Sequence, residues 1–313
     1  MSIPVQRYPP PEPSPLFVAT TAAEIEQILA TGESIERLEW KIVSIEDSRT
    51  SILTDSLAWA CFRGLKEVVE CLIAHGCSLD GTPGKGISPV QMAALAGNAD
   101  IVSLLARAGA NIDNRGNGWS WTALTIASRL GHVDVVDLLL SLGADMETKD
   151  WKGMTALMWA SGMGRIDVVD RLLAAGCDIH ALDRDGKSAL MHSVLEGDVP
   201  IIDRLVVHGA DFQAHFPGQK TLLMAACQNG NLEAASRLLS LGCDINAQDL
   251  DGWTALIWAC STKRPNIVEF LLDNGADPLI RTKMGSQANI FTQDFRIKRM
   301  LEGEISSQKK IIV

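Results

Sequence analysis

The sequence predicts an all-α fold, a solenoid of stacked helix–turn–helix units with protruding turn tips. Three observations predict it. Glycine recurs at Gly76, Gly109, Gly143, Gly176, Gly209, Gly242 and Gly275, with gaps of 33, 34, 33, 33, 33 and 33 residues; a fixed period of this size marks a stacked repeat array. Ahead of these glycines stand paired apolar residues three to four apart, such as Val135/Val136 with Leu139/Leu140 and Ile267/Val268 with Leu271/Leu272. That spacing builds one apolar stripe on a helix. A hydroxyl residue opens most units, at Thr122, Thr155, Ser188, Thr221 and Thr254.

Within one unit each element has a local cause. The hydroxyl caps the free N–H groups of a short first helix. A glycine turn follows, then the second helix with its stripe. The period glycine stops that helix because it tolerates positive φ. No unit can bury its stripe alone, whereas stacked neighbours bury it continuously. The units align without forcing. Thr155-Ala156-Leu157-Met158-Trp159-Ala160-Ser161 leads to Gly164, Val168-Val169, Leu172-Leu173 and Gly176-Cys177-Asp178. One period later Ser188-Ala189-Leu190 leads to Gly197, Ile201-Ile202, Leu205-Val206 and Gly209-Ala210-Asp211.

This pattern resembles the ankyrin repeat, whose units run Gly-x-Thr-Pro-Leu-His-x-Ala-Ala, Gly-His, Val-Val-x-Leu-Leu, Gly-Ala-Asp. The resemblance covers residues 52–285 as seven copies and implies an ankyrin repeat solenoid. The departures are specific. Proline fills the Thr-Pro slot only at Ser88-Pro89, and the family histidine slot holds Ala58, Gln91, Thr125, Met158, Met191, Met224 and Ile257. The inter-repeat bonds associated with that histidine are therefore in doubt. Lys263-Arg264-Pro265 stands where Gly-His is expected, so the turn of repeat seven should differ. The extra residue of the 34-residue gap falls near Asn114–Ser120.

Outside the array, residues 1–13 read as a proline-rich flexible lead-in. Arg7, Pro10 and Pro13 fit the R-x-x-P-x-x-P pattern of ligands for SH3-type domains. Residues 14–51 read as a degenerate N-terminal cap with an insert at 37–51, whose Trp40, Ile42 and Ile45 alternate as in a strand. Residues 286–302 read as a C-terminal cap helix packing Phe291, Phe295, Ile297 and Leu301, and 303–313 as a flexible tail. Ile311 and Val313 at the end carry the spacing of a PDZ-type ligand, with a frayed tail as the alternative.

Composition narrows the function. The chain has 313 residues and a net charge of −10. No basic stripe appears, so nucleic acid is not an expected partner; a basic partner protein suits the net field better. Six of the seven cysteines (Cys61, Cys71, Cys77, Cys177, Cys227, Cys243 and Cys260) occupy slots that hold alanine or serine in other repeats. They read as small buried thiols in a reducing compartment, cytoplasmic or nuclear. No Cys/His ligand spacing points to a metal, and no cofactor motif is present. No secretory signal or membrane-spanning apolar run is seen. No phosphate loop or Ser/His/Asp set appears. His75 and His208 share a helix-end slot where a cation is favourable.

The resemblance implies a binding surface of turn tips and exposed first-helix faces, and no enzyme. Projected onto this chain, the tips carry Trp119 and Trp121 in repeat three, Trp151 and Met154 in repeat four, and Trp253 in repeat seven. Met158 and Met163 add soft apolar surface near the repeat-four face. Trp119 and Trp151 read equally as partner anchors or as tips packed on one another. Trp121 and Met154 directly precede the capping hydroxyl and should point outward. Trp59, Trp159 and Trp258 share a first-helix slot with Met92, Ile126, His192 and Ala225, which reads as half-buried packing. Asn246, in Leu238…Asp244-Ile245-Asn246, resembles the sites that asparaginyl hydroxylases modify in some ankyrin arrays. The expected function is a non-enzymatic protein-interaction module: adaptor, assembly factor or inhibitor. The alternatives are a constitutive subunit of a larger complex and, more remotely, an enzyme with chemistry hidden in the array.

Overall fold

In a computed structural model the described residues are 56–81, 86–116 and 119–311. The lead-in with Arg7, Pro10 and Pro13, the N-terminal cap with its insert, and Val313 lie outside them. The regular elements of the described residues are almost all helices. They fall into two compact units, the first drawn from Met1–Ile126 with Ser141–Ala144 and the second from Ala127–Leu140 with Asp145–Val313.

In the first unit, helices α1 (Ser56–Arg63) and α2 (Lys66–Ala74) form one pair, and α3 (Pro89–Ala96) and α4 (Ala99–Arg107) the next. First helix packs on first helix, α1 on α3, and second on second. The core is the stripe expected from spacing: Val68, Val69 and Leu72 from α2, Ile101, Val102 and Leu105 from α4. Helix α5 (Ala123–Leu130) and helix α6 (Val133–Ser141) continue the chain.

The second unit repeats the pairing through α7 (Ala156–Gly162) and α8 (Ile166–Ala174), α9 (Ala189–Glu196) and α10 (Val199–Val207), α11 (Leu222–Asn229) and α12 (Leu232–Ser240), and α13 (Ala255–Ser261) and α14 (Pro265–Asp273). Val168, Val169, Leu172, Ile201, Ile202, Leu205, Leu238, Ile267, Val268 and Leu271 form its buried stripe. Burial of each such side chain stabilises by about 1.5–3 kcal/mol, and it is shared between the helix's own partner and the neighbouring repeat. The opening hydroxyls cap as expected. Thr122, Thr155, Ser188, Thr221 and Thr254 each accept the backbone N–H three residues on, at 3.2–3.4 Å. On the outer helices a ladder of exposed ion pairs runs Asp137–Arg171, Asp170–Arg204 and Asp203–Arg237. Each such pair adds about 0.2–1 kcal/mol.

Two turns depart from expectation. The Lys263-Arg264 turn does not differ from its counterparts. Lys263 adopts φ 56°, its N–H reaches the Cys260 carbonyl, and Arg264 N–H reaches that of Ala259. Lysine thus takes the left-handed conformation that glycine holds elsewhere, at a cost of about 1–2 kcal/mol, because packing of α13 on α14 fixes the turn. Secondly, a short hairpin pairs β1 (His215–Phe216) with β2 (Lys220–Thr221) in one tip.

The C-terminal end also differs from its expected bounds. A 3-10 turn covers Ala288–Phe291, and helix α15 runs Phe295–Ile311, so the stretch expected as a tail from 303 is helical as far as Ile311. Ile297 and Leu301 are buried as expected, but Phe295 is 79% exposed: it opens the helix on the face opposite the packed Ile297 and Leu301. Ile311 ends a helix here rather than an extended strand.

Tips of successive repeats are joined by backbone bonds, Arg184 N–H to Lys152 O at 2.9 Å and Lys283 N–H to Asp251 O at 3.0 Å. The glycine before each junction is constrained by it. A Cβ on Gly153 (φ +79°) would lie 2.8 Å from the Arg184 backbone nitrogen, and one on Gly252 (φ +77°) 2.8 Å from that of Lys283. Around Gly176 (φ +83°) nothing lies within 4 Å. Gly176→Ala is therefore expected to cost only the left-handed penalty of about 1 kcal/mol. Gly153→Ala should cost at least about 2 kcal/mol, because backbone must also move. Urea midpoints of the two variants check this.

Candidate protein-binding face

The tips are held by an aspartate that recurs through the second unit. In repeat four, Asp150 Oδ1 accepts the N–H groups of Lys152 (2.8 Å) and Met154 (2.9 Å), and Oδ2 accepts the indole Nε1–H of Trp159 at 3.0 Å. Repeat seven copies it. Asp249 accepts from Asp251 and Trp253 N–H and from Trp258 Nε1–H at 2.9 Å. Repeat five substitutes histidine: Asp183 accepts from Asp185 and Lys187 N–H and meets His192 Nε2 at 2.9 Å. The spacing is nine residues each time. Both carboxylate oxygens are used, which offsets the desolvation of Asp150 and Asp249, both buried.

This fastener accounts for tryptophan in that first-helix slot of repeats four and seven. Trp159 is buried at 5% exposure, deeper than the half-burial expected, because Asp150 gives its indole N–H a partner. Trp258 and Trp59 are half-buried. Sequence reading missed the pairing. Its signal is Asp followed nine residues later by Trp or His, at 150/159, 183/192 and 249/258.

The residues expected at the surface divide into two groups. Trp119 is 55% exposed and Trp151 39%. Trp121 is half-buried, with its ring stacked on Trp119 at 5.9 Å between centroids. Met154 is 6% exposed and Met158 1%, so neither offers surface. The bond from Met154 N–H to Asp150 curls the tip back on itself, and Met158 lies buried in the first helix. Met163, at the α7 C-terminus, is half-buried. Trp253 is half-buried against Trp258 (4.7 Å) and Phe291 (4.6 Å), closing the end of the array on the 3-10 turn. The packing reading thus describes Trp253, and both readings meet in the Trp119–Trp121 pair.

The family histidine slot also has a local solution. Gln91 Nε2 donates to the carbonyls of Asn114, at 3.1 Å, and Trp121, so glutamine supplies an inter-repeat bond in the first unit. The residue after the mid-unit glycine supplies others in three repeats. Asn98 donates to Cys61 O, Arg165 to Arg129 O, and Asn231 to Val194 O and Leu195 O. His75 and His208 each place Nδ1 2.8 Å from the carbonyl four residues back, in keeping with their helix-end slot. Asn246 Oδ1 accepts the Asp277 N–H at 2.9 Å, a structural use of the residue singled out for modification. The seven cysteines are free thiols. Burial pushes Cys227 and Cys260 up to about 12, so they are inert. Among the described residues no group of His, Cys, Asp and Glu could hold a metal ion, and no helix is long and apolar enough to cross a membrane.

The model for ankyrin repeats in three copies matches residues 57–150, 114–183, 142–215 and 190–282 in overlapping hits. The chain belongs to the ankyrin repeat family. Among solved structures the array is similar to the human ASB11 ankyrin repeat domain, at 23% identity with a TM-score of 0.62, over 70% of this chain and 98% of that one. That likeness is one of fold. A search of curated proteins gave no match. Ankyrin repeats generally mediate protein–protein interaction.

Two outcomes follow for this ankyrin array. Met154→Ala is expected to destabilise by about 2–5 kcal/mol as a core truncation, and Trp151→Ala by less than about 1 kcal/mol, measured by urea denaturation. His192 responds to pH. Burial, partly opposed by the Asp183 bond, holds its pKa below the ordinary value. The unfolded chain then takes up a proton near pH 6.5 before the folded one does. Its contribution is therefore present above that pH and is lost as pH falls through the lower folded value. His192→Trp, which installs the non-titrating partner of repeats four and seven, should flatten the fall in urea midpoint between pH 7.5 and 5.

Proposed function

We propose that this protein is a non-enzymatic interaction module, an adaptor, assembly factor or inhibitor, that captures a partner protein on its turn tips and first-helix faces. The observation that carries the reading is the exposure of Trp119 and Trp151, the latter on a tip tied down by Asp150. Tryptophan buries a large area with few rotamers to freeze and dominates interface energetics. The polar groups that might otherwise suggest chemistry have structural work: the turn aspartates fasten tips, His192 fills a tryptophan slot, and the buried thiols are inert. The free thiols suit a reducing compartment.

A constitutive subunit is the second reading, favoured by the apolar character of the tips, since obligate interfaces are the more hydrophobic kind. Affinity purification from native extract with the full chain should recover a partner. Trp119→Ala with Trp151→Ala should remove most of it without shifting the melting temperature by more than about 3 °C. Recovery unchanged by the double substitution would refute the tip surface. Size-exclusion chromatography separates the two readings, because a constitutive subunit elutes only with its complex.

A further inference from the structure

Along the second unit one repeated bond ties tip to tip: a residue of each tip donates its backbone N–H to a carbonyl of the tip before it. Arg184 reaches Lys152 O at 2.9 Å, Leu250 reaches Gly218 O at 2.9 Å, and Lys283 reaches Asp251 O at 3.0 Å. The donor slots fall at 184, 217, 250 and 283, one period apart. At 217 the residue is proline, which has no N–H to give the Asp185 carbonyl. The Pro217 ring lies in the junction instead. A Cβ on Gly186 would meet its Cγ at 3.7 Å, whereas at the tied junctions a Cβ on Gly153 or Gly252 would meet a backbone nitrogen at 2.8 Å.

The side-chain ties fail at the same place. Lys149 Nζ donates to Leu182 O at 2.8 Å and Gln248 Nε2 to Arg281 O at 3.0 Å, each from one repeat to the next. Repeat five holds Leu182 in that slot, which has no donor. Glu147 accepts the Asp178 N–H at 2.8 Å and Asn246 the Asp277 N–H at 2.9 Å; repeat five holds His180 there, and no such bond forms. Repeat six has Phe216 and Ala225 where its neighbours pair aspartate with Trp159, His192 or Trp258. Its tip is closed by its own hairpin and leans on repeat seven, with Lys220 Nζ 4.0 Å from the Trp258 ring centroid. The first helices show the same division, since α9 packs on α11 less extensively than α7 on α9 or α11 on α13. Away from the tips the junction is held. Arg237 meets Asp203 at 2.5 Å, and Asn231 and Asn229 donate to the Leu195 carbonyl at 2.9 and 3.1 Å.

In a stacked array stability is a sum over units and over the interfaces between neighbours, and a place with fewer bonds and contacts opens at lower free energy. We propose that the array is jointed between repeats five and six. The tips of repeats four and five form one platform and those of repeats six and seven another. The two part on the tip side while the contact of Asp203 with Arg237 stays closed. The motion is a local opening of the kind that hydrogen exchange reads. It bears on binding, because exposed Trp151 stands on one platform and exposed Leu250 on the other, so a partner that spanned both would set the gap between them. The joint does not depend on the interaction reading, since it rests on bonds within the free chain.

The tips of repeats four, five and seven share the same internal bonds, which supplies the test: Gly153 and Met154 donate to Asp150, Gly186 and Lys187 to Asp183, and Gly252 and Trp253 to Asp249. Amide hydrogen exchange of the full chain at neutral pH, taken relative to intrinsic rates, should be about fivefold faster at Gly186 and Lys187 than in the other two tips, the equivalent of one net hydrogen bond. Pro217→Leu gives the slot the N–H that Leu250 has. It should slow Gly186 and Lys187 about fivefold and leave Gly153 and Met154 unchanged. Leu250→Pro makes the converse change and should speed Gly252 and Trp253 by a similar factor. Equal protection of the three tips in the parent overturns the proposal, and so does a folded Pro217→Leu that leaves Gly186 and Lys187 as they were. Melting curves show which variants keep their fold. If Pro217→Leu does not, the parent comparison and Leu250→Pro decide, and no change at Gly252 and Trp253 in the latter overturns the joint. No partner enters the readout, so failure here leaves the interaction module untouched.

Discussion

A helix pair in this chain encloses too little to stand alone. Each second helix carries one apolar stripe, such as Val168-Val169-Leu172, packed on its own first helix and completed by the neighbouring pair. Every other regularity follows from that dependence. The short first helices must lie parallel to their neighbours, so their caps fall at one level. The second helices must stop together, so glycines with positive φ recur at the period. Stability is thus shared between neighbours, and weakness at one repeat is felt by those beside it.

Above the stripe the turn aspartate turns a row of loops into a platform. One carboxylate ties its own turn, through two N–H groups, to the first helix, through Trp159, Trp258 or His192. Backbone bonds such as Arg184 to Lys152 then join tip to tip. The consequence is that Trp151 is displayed from a fixed support rather than from a mobile loop. A side chain presented in this way loses little freedom on binding, which is the condition for an effective anchor. The same fastener explains why the histidine of the family motif is dispensable here. Gln91 replaces its bonding in one repeat, and the Asp–Trp pair stiffens the tip in repeats four and seven, where Met158 and Ile257 occupy the slot.

The periodic part of the fold was legible in sequence because its causes are local or nearest-neighbour: hydroxyl caps, stripe spacing and glycine stops each leave a mark within one period. What was not legible depended on direction. Met154 and Trp121 occupy equivalent slots, yet one is buried and the other stacks on Trp119, and spacing alone does not say which way a turn side chain points. Lys263 shows the complementary failure. A residue that disfavours the left-handed conformation was expected to alter its turn, but packing on both sides imposed the conformation. Phe295 was assigned to the cap's core by its apolar character, whereas helix phase sends Ile297 and Leu301 inward instead.

Charge separates what a whole sequence says from what one face does. The net charge of −10 is an average over aspartates that are largely occupied in capping turns and fastening rings. A carboxylate whose oxygens accept two backbone N–H groups and an indole N–H projects little of its field outward. Several cations act as ties as well, Arg171, Arg204 and Arg237 in the ion-pair ladder and Arg165 between repeats. Lys152 and Arg129 lie over the ring that Asp150 holds by its edge. In repeats four and seven an aspartate consumed beneath the tip thus brings with it an aromatic ring on which a cation rests.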